Sequence, residues 1–303
     1  MISSWSRSSD DSIPHYFYVS PALSADGRTV YASTFTDGGD NNPSSLYAFL
    51  HAHGALRSPS PLRWEMELSH GSEAVFTTTL AVGSDGTIFV GGYISRGFGT
   101  VPVLAAIRDN GPNQPPEYFW ETPWVELPNG AQFIHGIGLR EESGQTTRLY
   151  VTTANLGTVI FNRKEEGELY AVDPASGSVL AEYDPSDDTS SAVGSLTSPA
   201  IGANGVVYVG VRGRFGNSAV NGHVQAIQYD EQTLEFSLLW DYEVDGHIEW
   251  NHPAIGPDGG IYIGSTTNEF SGALLQVFDP DEIPDGTTCT FYGLRGPRRR
   301  IGR

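Results

Sequence analysis

The segment Asp245–His252 holds the densest group of chemically capable side chains in this 303-residue sequence. His247, Glu249 and His252 supply two imidazoles and a carboxylate, which can bind a metal ion or transfer protons. In an extended segment, alternate side chains point to opposite sides, so His252 shares one side with Trp250 and lies away from His247 and Glu249. Because the three groups do not converge, the sequence predicts no metal site here. His252 and Glu249 remain candidate catalytic residues.

Arginine and phenylalanine occur together in two other segments. A guanidinium beside an aromatic ring suits an anionic or sugar ligand, and the chain has only 17 Lys and Arg residues in all. We therefore predict a ligand-binding set that also takes in two residues of the His-rich segment. It consists of Arg96, Phe98, Arg212, Arg214, Phe215, His247 and Trp250. The alternative is that these arginines lie in solvent and pair with nearby carboxylates.

These residues are embedded in a repeat that organises the whole chain. Residues 198–210 read Ser-Pro-Ala-Ile-Gly-Ala-Asn-Gly-Val-Val-Tyr-Val-Gly, which predicts a short strand, a tight turn and a second strand. Similar segments occur at 20–32, 79–91 and 252–264, with a looser one at 137–151. Their second-strand aromatic residues lie 54 to 61 residues apart and mark five repeats: Tyr31, Phe89, Tyr150, Tyr208 and Tyr262.

Each repeat is followed by two further apolar segments, so the sequence predicts four strands per repeat and an all-β fold. Units of four strands at this period are typical of a β-propeller of four-stranded antiparallel blades, five of them in this chain. We predict one domain over residues 1–303, with blades at about 16–68, 73–123, 131–185, 194–245 and 248–293. The fourth strand of the last blade is predicted at 288–292, and residues 294–303 form an Arg-rich tail.

The repeat resembles the pyrroloquinoline-quinone-type (PQQ-like) β-propeller repeat. The resemblance lies in Ser-Pro-Ala-Ile-Gly followed by a turn and Val-Tyr-Val-Gly, and in residues 171–177, which are similar to the family segment Ala-x-Asp-x-x-Thr-Gly. It implies a propeller over about residues 16–293 and an extracytoplasmic location. Quinoprotein dehydrogenases of this family have eight blades and a vicinal disulfide beside the cofactor, whereas this chain has five repeats and the single Cys289. The resemblance therefore implies no cofactor.

Composition limits the partners. The net charge is −19, and a surface this acidic repels phosphate backbones, so nucleic-acid binding is not expected. One cysteine allows no disulfide within the chain. No apolar run of 18 residues predicts a membrane span, and the first residues do not form a signal peptide. The oligomeric state stays open.

Propeller topology places the long loops, including one predicted over Tyr93–Thr100, on one face around the central channel. His135 and His252 occupy similar places in their repeats, so both are expected to face this channel, and both are candidate catalytic residues. The simpler alternative is that His252 fills the position of Ser20 and Ser198 and forms a structural hydrogen bond there.

The sequence contains no phosphate-binding loop, nucleophile elbow or His-Glu-x-x-His motif. The first prediction is thus a non-catalytic binding or scaffold propeller that engages a protein or carbohydrate through its long-loop face. The alternative is a polysaccharide lyase or hydrolase acting on an acidic glycan, with His135 or His252 as base and arginines holding carboxylates. A quinoprotein oxidoreductase is the weakest reading. An enzyme requires the His and Arg groups to lie within about 3 to 4 Å of one common point.

Overall fold

Every regular element that the structure describes is a β-strand. The computed structural model describes residues 15–16, 19–36, 43–50, 62–96, 99–111, 114–128, 133–154, 167–185, 196–212, 221–244, 246–248, 251–266 and 273–278. Over these ranges, no helix is long and apolar enough to cross a membrane. The strands form antiparallel sheets that follow one another along the chain, and the all-β prediction is confirmed.

Sheet 1 contains four strands whose spatial order is their chain order. They are β2 (Ala22–Leu23), β3 (Thr29–Ser33), β5 (Ser45–Leu50) and β6 (Leu62–Glu67). Two short strands, β1 (His15–Tyr16) and β4 (Phe35–Thr36), pair with each other beside this sheet.

Sheet 2 is larger, with six strands. They are β7 (Ser69–His70), β8 (Glu73–Val82), β9 (Thr87–Arg96), β10 (Gly99–Arg108), β11 (Glu117–Tyr118) and β12 (Val125–Glu126), the last two both pairing with β10. The loop predicted over Tyr93–Thr100 is wrong, because β9 and β10 continue to pair as far as Arg96 and Gly99. Ile94 is fully buried in this extension, and burial of such side chains keeps the two strands together.

Sheets 3, 4 and 5 repeat the order of sheet 1. Sheet 3 contains β13 (Phe133–Glu142), β14 (Gln145–Ala154), β15 (Leu169–Val172) and β16 (Val179–Tyr183). Sheet 4 contains β17 (Ala200–Ile201), β18 (Val207–Val211), β19 (His223–Asp230) and β20 (Glu235–Glu243). Sheet 5 contains β21 (Ala254–Ile255), β22 (Ile261–Thr266) and β23 (Ala273–Phe278), while the fourth strand predicted for it at 288–292 lies outside the described residues.

The five predicted aromatic residues hold equivalent places in β3, β9, β14, β18 and β22, one strand of each sheet. Each lies opposite a small residue of the preceding strand, which leaves room for the ring. The pairs are Ala22 with Tyr31, Ala81 with Phe89, Gly138 with Tyr150, Ala200 with Tyr208 and Ala254 with Tyr262. The first four rings are buried. This common register is the physical basis of the repeat seen in the sequence.

Tryptophans join consecutive sheets. Trp64 of sheet 1 lies against Tyr31 with a centroid distance of 5.9 Å and donates through Nε1 to Asp109 in sheet 2, at 3.0 Å. Trp120 of sheet 2 likewise lies near Phe89 and donates to the carbonyl oxygen of Pro174 in sheet 3, at 2.9 Å. The outer strand of each of these sheets is thereby attached to a turn of the next one.

The junction between sheets 3 and 4 is built differently. Sheet 3 has Ala181 at the place that Trp64, Trp120 and Trp240 hold in sheets 1, 2 and 4. There, Arg148 forms an ion pair with Glu231 and lies over the ring of Tyr229, 5.3 Å from its centroid. Tyr150 adds an edge-on contact to Tyr229, with ring centroids 6.4 Å apart. Charge and aromatic stacking therefore replace the tryptophan contact at this one junction.

Candidate functional site

His135 lies on a β-bulge in the first strand of sheet 3. The register of β13 against β14 shifts between Ile134 and Gly136, so His135 has no partner residue on β14. A bulge redirects the side chain of the extra residue, and here it turns the imidazole towards sheets 4 and 5. Phe133, two residues earlier, lies edge-on to the imidazole with ring centroids 5.8 Å apart.

Gly136 allows β13 to approach the start of sheet 4 closely. A Cβ atom on Gly136 would lie 2.3 Å from the Cα atom of Ser198, which no side chain tolerates. Ser198 uses this proximity to donate from Oγ to the carbonyl oxygen of His135, at 3.2 Å. The bulge and the glycine together hold His135 against the segment Leu196–Ser198.

The structure brings His135 and His252 into contact, although they belong to sheets 3 and 5. Their ring centroids are 5.3 Å apart and the ring planes are inclined by 59°. Both rings form a hydrogen bond to the same short segment of sheet 4. Nδ1 of His135 lies 2.6 Å from the carbonyl oxygen of Leu196, and the backbone N–H of Ser198 donates to Nδ1 of His252 at 3.0 Å.

These two hydrogen bonds require opposite tautomers. A carbonyl oxygen only accepts, so Nδ1 of His135 carries the proton and Nε2 carries the lone pair. A backbone N–H only donates, so Nδ1 of His252 is the acceptor and, in the neutral ring, Nε2 carries the proton. A proton on Nε2 of His252 also disfavours metal binding at that nitrogen.

Both imidazoles are neutral at pH 7. Burial lowers the pKa of His135 to about 4; the charges of His252 and Arg212 act in the same direction, and the hydrogen bond to Leu196 opposes them. His252 is exposed as a residue, but its ring lies against that of His135, and desolvation lowers its pKa too. Arg212 directly follows β18 and is half-buried.

His247 lies in the junction between sheets 4 and 5 and not in this cluster. It is 1% exposed, and its backbone exchanges two hydrogen bonds with Thr266, at 2.8 and 2.9 Å. A ligand in solvent could reach this imidazole only if the junction opened.

Arg96 lies at the end of β9, where carboxylates surround it. Its guanidinium donates to both oxygens of Glu73, at 2.8 and 2.7 Å, and to both oxygens of Glu126, at 3.0 and 2.7 Å. His70 lies 3.5 Å from Glu73 and 3.6 Å from Glu126. Arg96 therefore pairs with nearby carboxylates, as the alternative to ligand binding predicts.

The remaining predicted residues, Glu249, Trp250, Phe98, Arg214 and Phe215, lie outside the described residues. Among the residues that are described, no three His, Cys, Asp or Glu side chains come together to hold a metal ion. Sequence reasoning missed Leu196, Ser198 and Gly136 as the residues that orient the imidazoles. The alignment of Ser198 with His252 in the repeat was the one signal that could have indicated part of this arrangement.

No protein-family model and no curated protein matches the chain. Among solved structures, a Dyadobacter fermentans protein of unknown function aligns with TM-score 0.49 and 13% identity, over 90% of this chain and 80% of that one. A Bacteroides uniformis protein provisionally assigned as a 6-phosphogluconolactonase gives 0.47 and 11%, over 87% and 81%. A GH43 β-1,3-galactosidase with galactodeoxynojirimycin gives 0.41 and 8%, over 73% and 74%. All three TM-scores lie below 0.5, so no function is carried over from these proteins.

Proposed function

We propose that the chain is a five-bladed β-propeller that binds a carboxylate-bearing carbohydrate where His135, Ser198 and His252 meet, with Arg212 attracting the carboxylate. The contact between His135 and His252 carries the proposal. Their rings come from sheets 3 and 5 and lie 5.3 Å apart. This contact between alternate sheets supports the proposal of a ring of few blades, in which the first strands converge on a narrow central channel.

Binding suits this site better than catalysis. A general base works best when its pKa lies near the working pH, and the pKa of His135 is about 4. At pH 7 the ring is a weak base but remains a good hydrogen-bonding group. Backbone groups of Leu196 and Ser198 fix both imidazoles, so little conformational entropy is lost when a ligand binds.

The charge pattern favours a ligand with a single carboxylate over a long polyanion. Arg212 carries a positive charge that acts on His135. The whole chain carries a net charge of −19, which repels polyanions at long range. At physiological ionic strength, screening over about 8 Å leaves the local attraction of Arg212 in place.

Calorimetric titration tests this proposal. The panel contains matched neutral and uronic-acid oligosaccharides, and the variants are His252→Ala and Arg212→Ala. The control is His70→Ala, whose imidazole lies beside Glu73 and Glu126. We expect the wild type and the control to bind a uronic-acid oligosaccharide, and each site variant to bind it at least tenfold more weakly. Equal affinity of all four proteins, or binding of none of the panel by the wild type, contradicts the proposal.

The second candidate is a lyase or hydrolase acting on an acidic glycan. It is favoured by the contact between two imidazoles and by the arginine whose charge acts on one of them. Incubation of the wild type with acidic polysaccharides, followed by assays for new reducing ends and for unsaturated products, separates the two functions. Turnover that His135→Asn abolishes would replace the binding proposal with the enzymatic one.

We also propose that the chain belongs with the PQQ-like repeats and acts outside the cytoplasm, on the strength of the repeat segments at 20–32, 198–210 and 252–264. Cell fractionation of the native host with an antibody against the protein tests the location. Recovery only with cytosolic markers contradicts it.

A further inference from the structure

We propose that Arg140 and Arg148 form a binding site for a phosphate group, and that Glu231 of the next sheet occupies this site in the free protein. A phosphate dianion from solution binds by displacing the Glu231 carboxylate. The inference goes beyond the proposed function and does not depend on it. Arg140 lies towards the turn end of β13, five residues or about 16 Å of extended chain from His135.

The two arginines are direct neighbours across two strands. Arg140 of β13 lies opposite Arg148 of β14, so both side chains leave the sheet on the same face. Like charges at opposite positions repel each other and destabilise a sheet. An anion that contacts both guanidinium groups therefore stabilises this pair of strands.

Glu231 supplies such an anion from sheet 4. Arg148 donates to both of its carboxylate oxygens, from Nη2 to Oε2 and from Nε to Oε1, the latter at 3.4 Å. Nη1 of Arg140 lies 3.7 Å from the same Oε1 atom. A fork of this kind binds carboxylate and phosphate groups alike. The ring of Tyr229, 5.3 Å from Cζ of Arg148, helps to hold the guanidinium in place for an oxyanion.

The Glu231 carboxylate is open to competition from solution. It lies in the turn between β19 and β20, and its side chain is 43% exposed, whereas that of Arg148 is 12% exposed. In the part of the chain that the structure describes, the two arginines are its only ion-pair partners. Asp109, which holds the junction between sheets 1 and 2, is 8% exposed and also accepts two hydrogen bonds. Because exposed ion pairs contribute little to stability, a dissolved anion can replace Glu231 but not Asp109.

A phosphate group competes with Glu231 better than a free carboxylate does. Glu231 carries one negative charge against two guanidinium charges, and Glu142 pairs with Arg140 alone, at 2.8 Å. A phosphate dianion carries more charge and has oxygens for both guanidinium groups at once. A free monocarboxylate has only the charge of Glu231 and lacks its tether, so it loses the competition.

Removal of the internal competitor tests the site. Sodium phosphate is titrated into the full chain at pH 8 and constant ionic strength, and nitrogen-15 NMR follows the Nε–H signals of Arg140 and Arg148. We expect both signals to shift saturably, and Glu231→Gln to bind phosphate at least fivefold more tightly than the wild type. Glu235→Gln, which removes the same charge from the same hairpin, should stay within twofold of the wild type.

Two further readouts separate binding at this site from a general effect of salt. The carboxyl carbon signal of Glu231 in the wild type should move together with the arginine signals, because the carboxylate leaves the site. Arg148→Lys, added to Glu231→Gln, keeps the charge but loses the fork, and it should weaken phosphate binding at least threefold. Sodium acetate and sodium chloride at the same ionic strength should produce no saturable shift.

Several results overturn the inference. One is the absence of a saturable phosphate shift in Glu231→Gln, and another is equal phosphate affinity in Glu231→Gln and the wild type. A Glu231 signal that stays unmoved while phosphate saturates the arginines rules out displacement. Shifts with acetate or chloride as large as those with phosphate would show that salt merely screens the ion pair.

Discussion

His135 couples the stability of the protein to pH. Its pKa is about 4 in the folded chain, while an exposed histidine has a pKa of about 6.5. The unfolded chain therefore binds a proton that the folded chain does not bind between these two values. The contribution of His135 to the unfolding free energy is fully present above pH 6.5. It decreases as the pH falls towards 4, by up to roughly 3 kcal/mol.

We predict that His135→Asn removes this part of the pH dependence. The asparagine side chain can donate to Leu196 in place of Nδ1, but it does not titrate. Urea unfolding at pH 7 and pH 4.5 measures the effect, with His70→Asn as the control. The difference in unfolding free energy between the two pH values should shrink by about 2 kcal/mol in His135→Asn. An unchanged difference would show that the burial of His135 does not cause the pH dependence of the unfolding free energy.

Asp109 accepts the hydrogen bond of Trp64 at the junction between sheets 1 and 2, and it is the counter-ion of Arg63. It accepts from Tyr31 at 2.8 Å and from Trp64 at 3.0 Å, and it forms an ion pair with Arg63 at 3.2 Å. The Arg63 and Asp109 side chains are 12% and 8% exposed, so removal of the carboxylate leaves a nearly buried guanidinium without its counter-ion.

We expect Asp109→Ala to lower the unfolding free energy by about 3–5 kcal/mol, and Asp109→Asn to lower it by less. Urea titration followed by tryptophan fluorescence measures both variants. The exposed Glu235 provides the control, since Glu235→Ala should stay within about 0.5 kcal/mol of the wild type. If Asp109→Ala lowers the unfolding free energy no more than this control does, Asp109 does not stabilise the junction.

At the scale of the strand, the bulge in β13 and its glycine position the candidate site. Gly136→Ala should force β13 and Ser198 apart, because the new Cβ would meet backbone as well as side-chain atoms. We predict a loss of about 1–3 kcal/mol in stability and a change in the NMR signals of both site histidines. The control is Gly99→Ala, where a Cβ meets no atom closer than 4.0 Å. Unchanged histidine signals in Gly136→Ala would mean that this close approach does not orient the rings.

Arg96 lies at the end of β9, among carboxylates and not beside the site histidines. We therefore predict that its substitution leaves ligand binding unchanged. Arg96→Gln breaks the contacts with Glu73 and Glu126 but touches neither site histidine. Ligand affinity in the calorimetric titration should therefore stay within twofold of the wild type. A tenfold loss would return Arg96 to the ligand-binding set.

The sequence predicts the elements well, because their causes are local. Asp-Gly and Asn-Gly turns, with glycines such as Gly86 and Gly205 at positive φ, place the hairpin that carries the repeat aromatic residue in four of the five sheets; in sheet 3 the turn is Ser143-Gly144. It also indicates that His135 and His252 hold similar places. It does not reveal their tautomers, because those depend on Leu196 and Ser198, which are about sixty residues away from one ring or the other.

At the scale of the whole molecule, closure of the ring decides whether the site is complete. A closed five-bladed monomer of 303 residues should have a radius of gyration of roughly 19 Å. Small-angle scattering combined with light scattering for the molar mass measures this. A clearly larger radius for a monomer would indicate an open arc, and a multiple of the chain mass would indicate closure by a second copy.

The junction between sheets 3 and 4 combines a buried apolar cluster with an ion pair. Sheets 1, 2 and 3 are joined by buried indole hydrogen bonds, whereas sheets 3 and 4 meet partly through Arg148 and Glu231, whose attraction salt weakens. Amide exchange in concentrated salt should therefore accelerate first along this line. The histidine site has His135 on one side of the line and His252 on the other. If a ligand binds both histidines as proposed, it should bridge sheets 3 and 5 and slow amide exchange along this junction.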